Sequence, residues 1–246
     1  MPHVYHTNPA RSKPRVEFSD IVVAMNSLAS LLQDRPVAWV KASDEARKRS
    51  QDTAPTEEAL GRAELLWGAT DLSNRFRELL DKRGVSIYDR TIEHHFTGSA
   101  IVLDPKTRGI LMTFHPLYQG WQQLGGHDEG EHDPMVISAR EAWEESGIDD
   151  LWICDWPILV YPHPAHKCRS VTDGQHNWHY DICYMSVALD ANFKASEESA
   201  DMRWVSLDEL KQFVAEGEAS QMVLDMTQNA LQLYDALASL KNLPAS

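Results

Sequence analysis

The sequence predicts an α+β fold, and three observations lead to this prediction. Short runs rich in Ile, Val, Phe and Tyr recur after residue 94 and are separated by turn-forming residues, as expected for β-strands. A helix with clear ends lies between the second and third of these runs. The first 93 residues carry apolar side chains mainly at helical spacing. We therefore expect a helical N-terminal extension, residues 1–93, followed by an α+β domain with a C-terminal helix, residues 94–246.

Five strands are predicted in the second part of the chain. Their boundaries follow from turn signals such as Asp104-Pro105 and from the change between apolar and polar stretches. The predicted strands cover residues 96–103, 110–114, 152–160, 180–189 and, as a shorter fifth strand, 202–205.

Two helices are predicted in the extension. Residues 18–32 carry an apolar stripe, and residues 56–82 have apolar side chains at helical spacing. Thr56 is a candidate N-cap, and Gly84 is a candidate stop signal. Residues 41–54 are charged and poor in large apolar side chains, which predicts a mobile connector or an exposed helix.

Three helices follow in the second part. The central helix runs from Pro134 to Ser146, with Asp133 as its N-cap and Gly147 at the left-handed C-terminal position. Residues 206–209, Ser-Leu-Asp-Glu, form a capping box that opens a helix to about Phe213. Residues 220–240 form a final amphipathic helix.

Composition limits the partners of the chain. The formal net charge of −14 argues against binding to a nucleic acid duplex or an anionic membrane, because both would be repelled. The longest apolar run, residues 21–32, is too short and too polar to span a bilayer. Residues 1–19 lack the apolar core of a signal peptide, so a cytoplasmic protein is expected. The three cysteines are widely spaced and are expected to be reduced thiols.

A cluster of carboxylates follows the Gly125-Gly126 turn. Glu141, Glu144 and Glu145 lie three and four residues apart on the central helix, so they share one face. Their mutual repulsion is tolerable only if they are fully exposed or bind a cation. A solvated helix face is one interpretation. The other is a Mg²⁺ or Mn²⁺ site, to which the Gly125 carbonyl could also turn.

Gly126 is followed after five residues by His132, and after seven more by the segment Arg140 to Ile148. This arrangement resembles the Nudix box, whose pattern is Gly, five residues, Glu, seven residues, then Arg-Glu-aliphatic-any-Glu-Glu-any-Gly-aliphatic. The resemblance covers 23 residues, Gly126 to Ile148, and implies a Nudix-type α-β-α sandwich with a mixed β-sheet. His132 stands where the family has Glu, which helps to hold the box arginine. Glu131 or Asp133 could replace it; Glu131 is favoured because Asp133 also caps the helix.

The resemblance also implies an activity. It implies metal-dependent water attack on one phosphorus of a nucleoside diphosphate linked to another group. Glu141, Glu144 and Glu145 would hold Mg²⁺ or Mn²⁺, with Gly125 as a further ligand. Glu141, or a carboxylate beyond the box, would act as general base, Arg140 would orient Glu141, and Glu145 completes the expected catalytic set. His132 keeps a second interpretation open, a nucleotide-binding regulatory module without turnover.

Candidate substrate-binding residues lie outside the box. His179 and Asp181 are two apart on a predicted strand and therefore share a face, either as part of the site or as a structural pair. Tyr118 and Trp121 could stack on a base, although packing of their loop is the alternative. Four histidines cluster between two predicted strands: His163, His166, His176 and His179. A zinc site built from them is conceivable, but we favour the interpretation that some of them line the substrate cleft. A small nucleotide or diphosphate is the expected partner, and the N-terminal helices could form a homodimer interface, cover the site or enlarge the core.

Overall fold

The computed structural model of the chain describes residues 27–68, 70–116, 118–165, 177–194 and 201–244. Residues 27–32 are helical, and the first part of the predicted helix 18–32 lies outside the described residues. None of the helices in the described ranges has the length and the apolar character needed to cross a membrane.

A mixed β-sheet organises the described part of the chain. Its main strand order is β1-β6-β7-β2-β3-β4, while β5 pairs with β2 and β8 pairs with β3. The β2 and β7 strands are parallel, and the other pairs are antiparallel. The strands are β1 Trp39–Lys41, β2 His94–Leu103, β3 Ile110–His115, β4 Gly120–Gln122, β5 Leu124–Gly126, β6 Leu151–Ala165, β7 Asn177–Ala188 and β8 Asp201–Val205.

Helices cover both faces of this sheet. One core cluster joins the sheet to α2, α3 and α4, and a second cluster joins it to α5 and α6. The predicted α+β sandwich with a mixed sheet is therefore confirmed. The helices are α1 Ala42–Glu45, α2 Ala54–Trp67, α3 Thr70–Arg83, α4 Pro134–Ser146, α5 Leu207–Glu216 and α6 Gln221–Ser239, with a 3₁₀ turn at Gly84–Tyr88.

The central helix α4 has the ends that its sequence predicts. The Asp133 carboxylate accepts a hydrogen bond of 2.9 Å from the Met135 amide, and Gly147 is left-handed with a φ of 60°. The close packing of α4 on β2 requires a glycine at position 98. A Cβ atom there would lie 2.8 Å from both the Pro134 carbonyl oxygen and the Ser138 hydroxyl oxygen, well inside van der Waals contact. The helix is thus fixed at both ends and against the sheet.

The single helix predicted over residues 56–82 is wrong. Two helices occupy this segment, because Gly68 adopts a left-handed conformation with a φ of 62° and ends α2. Thr56 is also not the N-cap, since α2 already begins at Ala54. The Thr56 hydroxyl is buried and lies 2.5 Å from the Tyr88 hydroxyl. Gly84 does follow the last residue of α3, as predicted.

The exposed helix expected over residues 41–54 is not formed, whereas the alternative of a mobile connector stays a prediction. Within them, α1 is short and buries Ala42 and Glu45. The chain enters this segment from β1, which pairs with β6 through the register of Trp39 with Cys154. The Ser50 amide and carbonyl bond to Glu131 and His132, so part of this charged segment is tied to the second half of the chain.

The extension is part of the same core as the second half of the chain. The Arg62 guanidinium donates to the Asp155 carboxylate at 2.6 Å, and its carbon lies 5.2 Å from the centre of the Trp156 ring. The Trp67 indole donates to the Pro157 carbonyl at 3.0 Å. The described helices α2 and α3 therefore enlarge the core, one of the three roles left open. The domain boundary between residues 93 and 94 stays a prediction.

Candidate active site

The helical carboxylates lie against the Gly-Gly turn. The Gly125 amide donates to the Glu145 carboxylate at 3.3 Å. A Cβ atom at Gly126 would lie 2.7 Å from the carboxyl carbon of Glu141, so a larger residue there would displace that carboxylate. The side chain of Glu141 is 15 % exposed, whereas that of Glu144 is 52 % exposed. The structure thus brings Gly125, Glu141 and Glu145 together at the turn, with Glu144 at the solvent edge.

Arg140 fixes Glu141 to the loop that follows the turn. Its guanidinium lies 2.9 Å from a Glu141 oxygen and donates to the His127 carbonyl at 2.6 Å. It also lies 3.4 Å from a Glu144 oxygen. The side chain of Arg140 is only 6 % exposed, so these charge-assisted contacts are shielded from water. This geometry agrees with the expected orienting role of Arg140.

The electrostatics at Glu141 favour a cation. Burial raises the pKa of Glu141 to about 7; Arg140 opposes this shift, and the nearby charges of Glu144 and Glu129 add to it. A partly desolvated carboxylate beside other carboxylates is stabilised by a divalent ion. The donors in reach are carboxylate oxygens, the ligand type that Mg²⁺ and Mn²⁺ prefer. The residues present therefore fit this class of ion.

The loop around His132 is held mainly by contacts to residues that precede β2. The His132 ring stacks on Tyr88 with ring centres 5.1 Å apart, and its amide donates to the Ser50 carbonyl. Glu131 is buried, and its carboxylate accepts from the Ser50 amide at 2.9 Å and from the Asp133 amide at 3.0 Å. The expectation that Glu131 or Asp133 holds Arg140 is wrong, because both carboxylates bond to backbone amides instead.

The carboxylate that does approach Arg140 from this loop is Glu129. One of its oxygens lies 3.6 Å from the guanidinium, and its side chain is 74 % exposed. An exposed ion pair at this distance contributes little by itself. Arg140 thus keeps an acidic partner in the loop, three residues before the box position of His132.

Substitutions at Asp133 separate its capping role from the cost of its buried charge. We expect Asp133→Ala to lose about 1 kcal/mol of stability with the cap, whereas Asp133→Asn keeps a capping oxygen. Burial raises the pKa of Asp133 to about 6, and Glu45 and Glu131 add to the shift. The pKa of this carboxyl in the unfolded chain is about 3.9. Between the unfolded and the folded pKa, the folded protein therefore binds more protons than the unfolded chain. The free energy of unfolding falls as the pH rises through that window.

Urea unfolding of the wild type and of Asp133→Asn at pH values from about 4 to about 7 checks this expectation, because the difference between the two proteins isolates one carboxyl group. The asparagine variant is expected to gain stability relative to the wild type as the pH rises. A difference that stays constant over the whole window would contradict the expectation.

The two aromatic candidates differ in their surroundings. Trp121 is 6 % exposed, stacks on Phe213 with ring centres 5.6 Å apart, and has the Arg203 guanidinium carbon 4.5 Å from its ring centre. These contacts match the packing alternative for Trp121. Tyr118 is 36 % exposed and contacts the edge of the His115 ring, so its aromatic face is more accessible to a ligand. Base stacking by either residue stays a prediction.

Asp181 and His179 lie on one face of β7, beside β2. Asp181 is 2 % exposed and accepts hydrogen bonds from the Thr97 and Ser99 hydroxyls at 2.8 and 2.5 Å. The Nε2 atom of His179 lies 3.2 Å from Nε2 of His127. Direct substrate contact by His179 and Asp181 stays a prediction, since both side chains are engaged inside the protein.

Two histidines near this face were missed by sequence reasoning. His95 and His127 meet His179, but their positions follow no metal-binding spacing in the sequence. Of the remaining histidines of the zinc alternative, His163 lies on β6, whereas His166 and His176 lie outside the described residues.

The sequence of the chain is similar to those of known proteins. A family model described as "NUDIX domain" matches residues 93–225. A hydrolase of Streptomyces rubellomurinus (strain ATCC 31215), named CMP-5'-(N-acetyl-N-hydroxy-3-aminopropyl)phosphonate hydrolase, is 30% identical over 137 residues, 52% of this chain; the chain spans 61% of that relative's length.

Solved structures with related folds include a NUDIX family hydrolase from Clostridium perfringens, with 22% identity, a TM-score of 0.44 and coverage of 58% of this chain and 99% of that chain. A UDP-X diphosphatase has 14% identity, a TM-score of 0.41 and coverage of 88% and 96%. The family match covers more than half of the chain and includes the whole segment from Gly126 to Ile148. The chain therefore belongs to the NUDIX family.

Proposed function

We propose that the protein is a magnesium- or manganese-dependent pyrophosphohydrolase that cleaves a nucleoside diphosphate linked to another group. The observation that carries this proposal is the packing of Glu141 and Glu145 against Gly125 and Gly126, with Arg140 bound to Glu141. The Streptomyces relative is named as a hydrolase of a CMP-linked phosphonate, which supports a nucleotide-linked substrate. Family membership supports the hydrolase class.

The charge of the chain explains why an ion belongs in this reaction. With a formal net charge of −14, the protein repels a pyrophosphate at long range, so a local cationic centre has to bind it. Arg140 alone cannot bind the pyrophosphate, because its guanidinium is already bonded to Glu141 and to the His127 carbonyl. A bound divalent ion neutralises the pyrophosphate charge and makes a water molecule more acidic.

The side chains then have distinct tasks. Glu141, Glu144 and Glu145 would supply the oxygens that hold the ion, and the Gly125 carbonyl is a further candidate. Arg140 occupies one oxygen of Glu141, which leaves the second oxygen for the ion or for a proton of the attacking water. Attack forms a bond from the water oxygen to one phosphorus and breaks the bond from that phosphorus to the bridging oxygen. The bridging oxygen leaves with the second phosphate.

A substrate panel tests this function. The purified chain is incubated with Mg²⁺ and with nucleoside diphosphates linked to sugars, nucleosides or phosphonates, and a phosphatase converts the released monoesters to measurable phosphate. We expect turnover of at least one class that stops when the metal is chelated. No turnover on any compound, together with tight nucleotide binding by calorimetry, would favour the regulatory module instead. The cytoplasmic location and the homodimer stay predictions.

A further inference from the structure

Three imidazoles converge beside the carboxylate site. The Nε2 atom of His127 lies 3.1 Å from Nε2 of His95 and 3.2 Å from Nε2 of His179. One ligand atom from each of the three residues lies within 4.8 Å of the others. His95 is fully buried, and His179 is 9% exposed. Three imidazole nitrogens therefore lie close together, on two buried residues and one half-buried residue.

The fold holds these residues in place. His95 on β2 and His179 on β7 are direct partners in the parallel register. His127 directly follows Gly126, which pairs with Gly98 of β2 through β5. His163 on β6 is in turn the register partner of His179, and their ring centres are 5.2 Å apart. Two of the three histidines are thus held by paired strands, and the third directly follows a paired strand.

The protonation of the cluster suits metal ligation. The Nδ1 atom of His95 lies 2.8 Å from the Ile92 carbonyl oxygen, so a neutral His95 donates there and its Nε2 carries a lone pair. A hydrogen bond from the second ring nitrogen to a carbonyl is the usual support for a metal-binding histidine.

We propose that His95, His127 and His179 bind one divalent transition-metal ion, with Zn²⁺ as the best fit, at a site separate from the magnesium-binding carboxylates. Zinc–nitrogen bonds of about 2.0–2.1 Å at a tetrahedral angle place two nitrogens about 3.3 Å apart, close to the two short separations in the cluster. Nitrogen donors select zinc and its neighbours, whereas carboxylate oxygens select magnesium. Three protein ligands leave a fourth position for water or a substrate oxygen.

The two sites are linked through one residue. Arg140 donates to the His127 carbonyl and holds Glu141, so the loop that carries one zinc ligand also positions one magnesium ligand. An ion at the histidines would therefore stiffen the loop after the Gly-Gly turn. This inference does not depend on turnover, because the histidine cluster exists whether or not the box is catalytic.

Zinc titration of the full chain tests the proposal. The protein is stripped with a chelator, dialysed into excess Mg²⁺ to saturate the carboxylates, and titrated with ZnCl₂ by calorimetry. We expect one zinc ion per chain to bind. His127→Gln and His179→Gln are expected to weaken zinc binding by at least about 100-fold, since loss of only an outer-shell partner costs about 10–100-fold. His94→Gln is the matched control, because His94 neighbours His95 but contacts Glu93 and Tyr180 instead of the cluster.

Two further measurements make each outcome decisive. Glu145→Gln is expected to keep its zinc affinity, so a failure of the proposed hydrolysis would leave the zinc result intact. Cobalt substitution of the wild type is followed by visible absorption and by X-ray absorption. We expect tetrahedral coordination with imidazole nitrogens. This measurement uses only the wild-type protein, so it does not depend on the folding of a variant. Absence of zinc binding in excess Mg²⁺, unchanged zinc affinity in both variants, or a shell of oxygen donors only would overturn the proposal.

Discussion

The Glu145→Gln variant is expected to lower magnesium-dependent turnover by at least about 100-fold. A metal ion contributes several kcal/mol to stabilisation of the transition state, and each 1.36 kcal/mol corresponds to about a factor of ten in rate. Glutamine keeps the size of the side chain and can still accept from the Gly125 amide, which lies 3.3 Å from the Glu145 carboxylate. The fold should therefore survive, and the loss should come from the missing negative charge.

Steady-state kinetics over a range of magnesium concentrations measures this effect. Glu216→Gln is a suitable control, because Glu216 is exposed at the end of α5 and lies outside the box. The magnesium concentration needed for half-maximal activity should rise in the box variant and stay unchanged in the control. Unchanged magnesium-dependent turnover of Glu145→Gln would refute the assignment of Glu145 as a ligand.

The Phe76→Ala variant is expected to lose about 3–5 kcal/mol of unfolding free energy, the usual range for removal of a buried phenylalanine. Phe76 belongs to the extension but is fully buried in the core that includes β2 and β7. Its ring centre lies 5.3 Å from that of Phe96 and 5.1 Å from that of Tyr180. Truncation would leave a cavity at the junction between the extension and the sheet.

Urea unfolding followed by circular dichroism measures this loss. Leu65→Ala is the matched control, because Leu65 lies on α2 in the same extension but is 52% exposed. It is expected to change stability by less than about 0.5 kcal/mol. A loss below about 1 kcal/mol for Phe76→Ala, or two separate unfolding transitions, would indicate that the extension folds apart from the sheet.

Local sequence signals located α4 and its carboxylates correctly. Asp133, Pro134 and Gly147 act within one turn of the backbone, so their effect on the ends of α4 does not depend on the rest of the fold. The same is true of the capping box at Ser206, which the structure confirms. The spacing of Glu141, Glu144 and Glu145 then placed three acidic side chains on one helical face.

Sequence reasoning failed where a local pattern competed with a distant partner. Periodicity over residues 56–82 continued across Gly68, although the left-handed glycine ends the first helix. The charged segment 41–54 gave no sign that the Ser50 amide would bond to Glu131, far along the chain. For the same reason Glu129, and not a residue beside His132, became the loop partner of Arg140.

By itself, the sequence determined the family through the motif from Gly126 to Ile148. It also determined the α+β class and the helix that carries the acidic residues, because caps, turns and helical spacing act over a few neighbouring residues. Only the tertiary structure decided that the extension shares the core with the sheet and that His95, His127 and His179 meet. The pairing of β2 with β7 and with β5 brings together residues from three distant segments. Such contacts depend on strand register, which no short motif encodes.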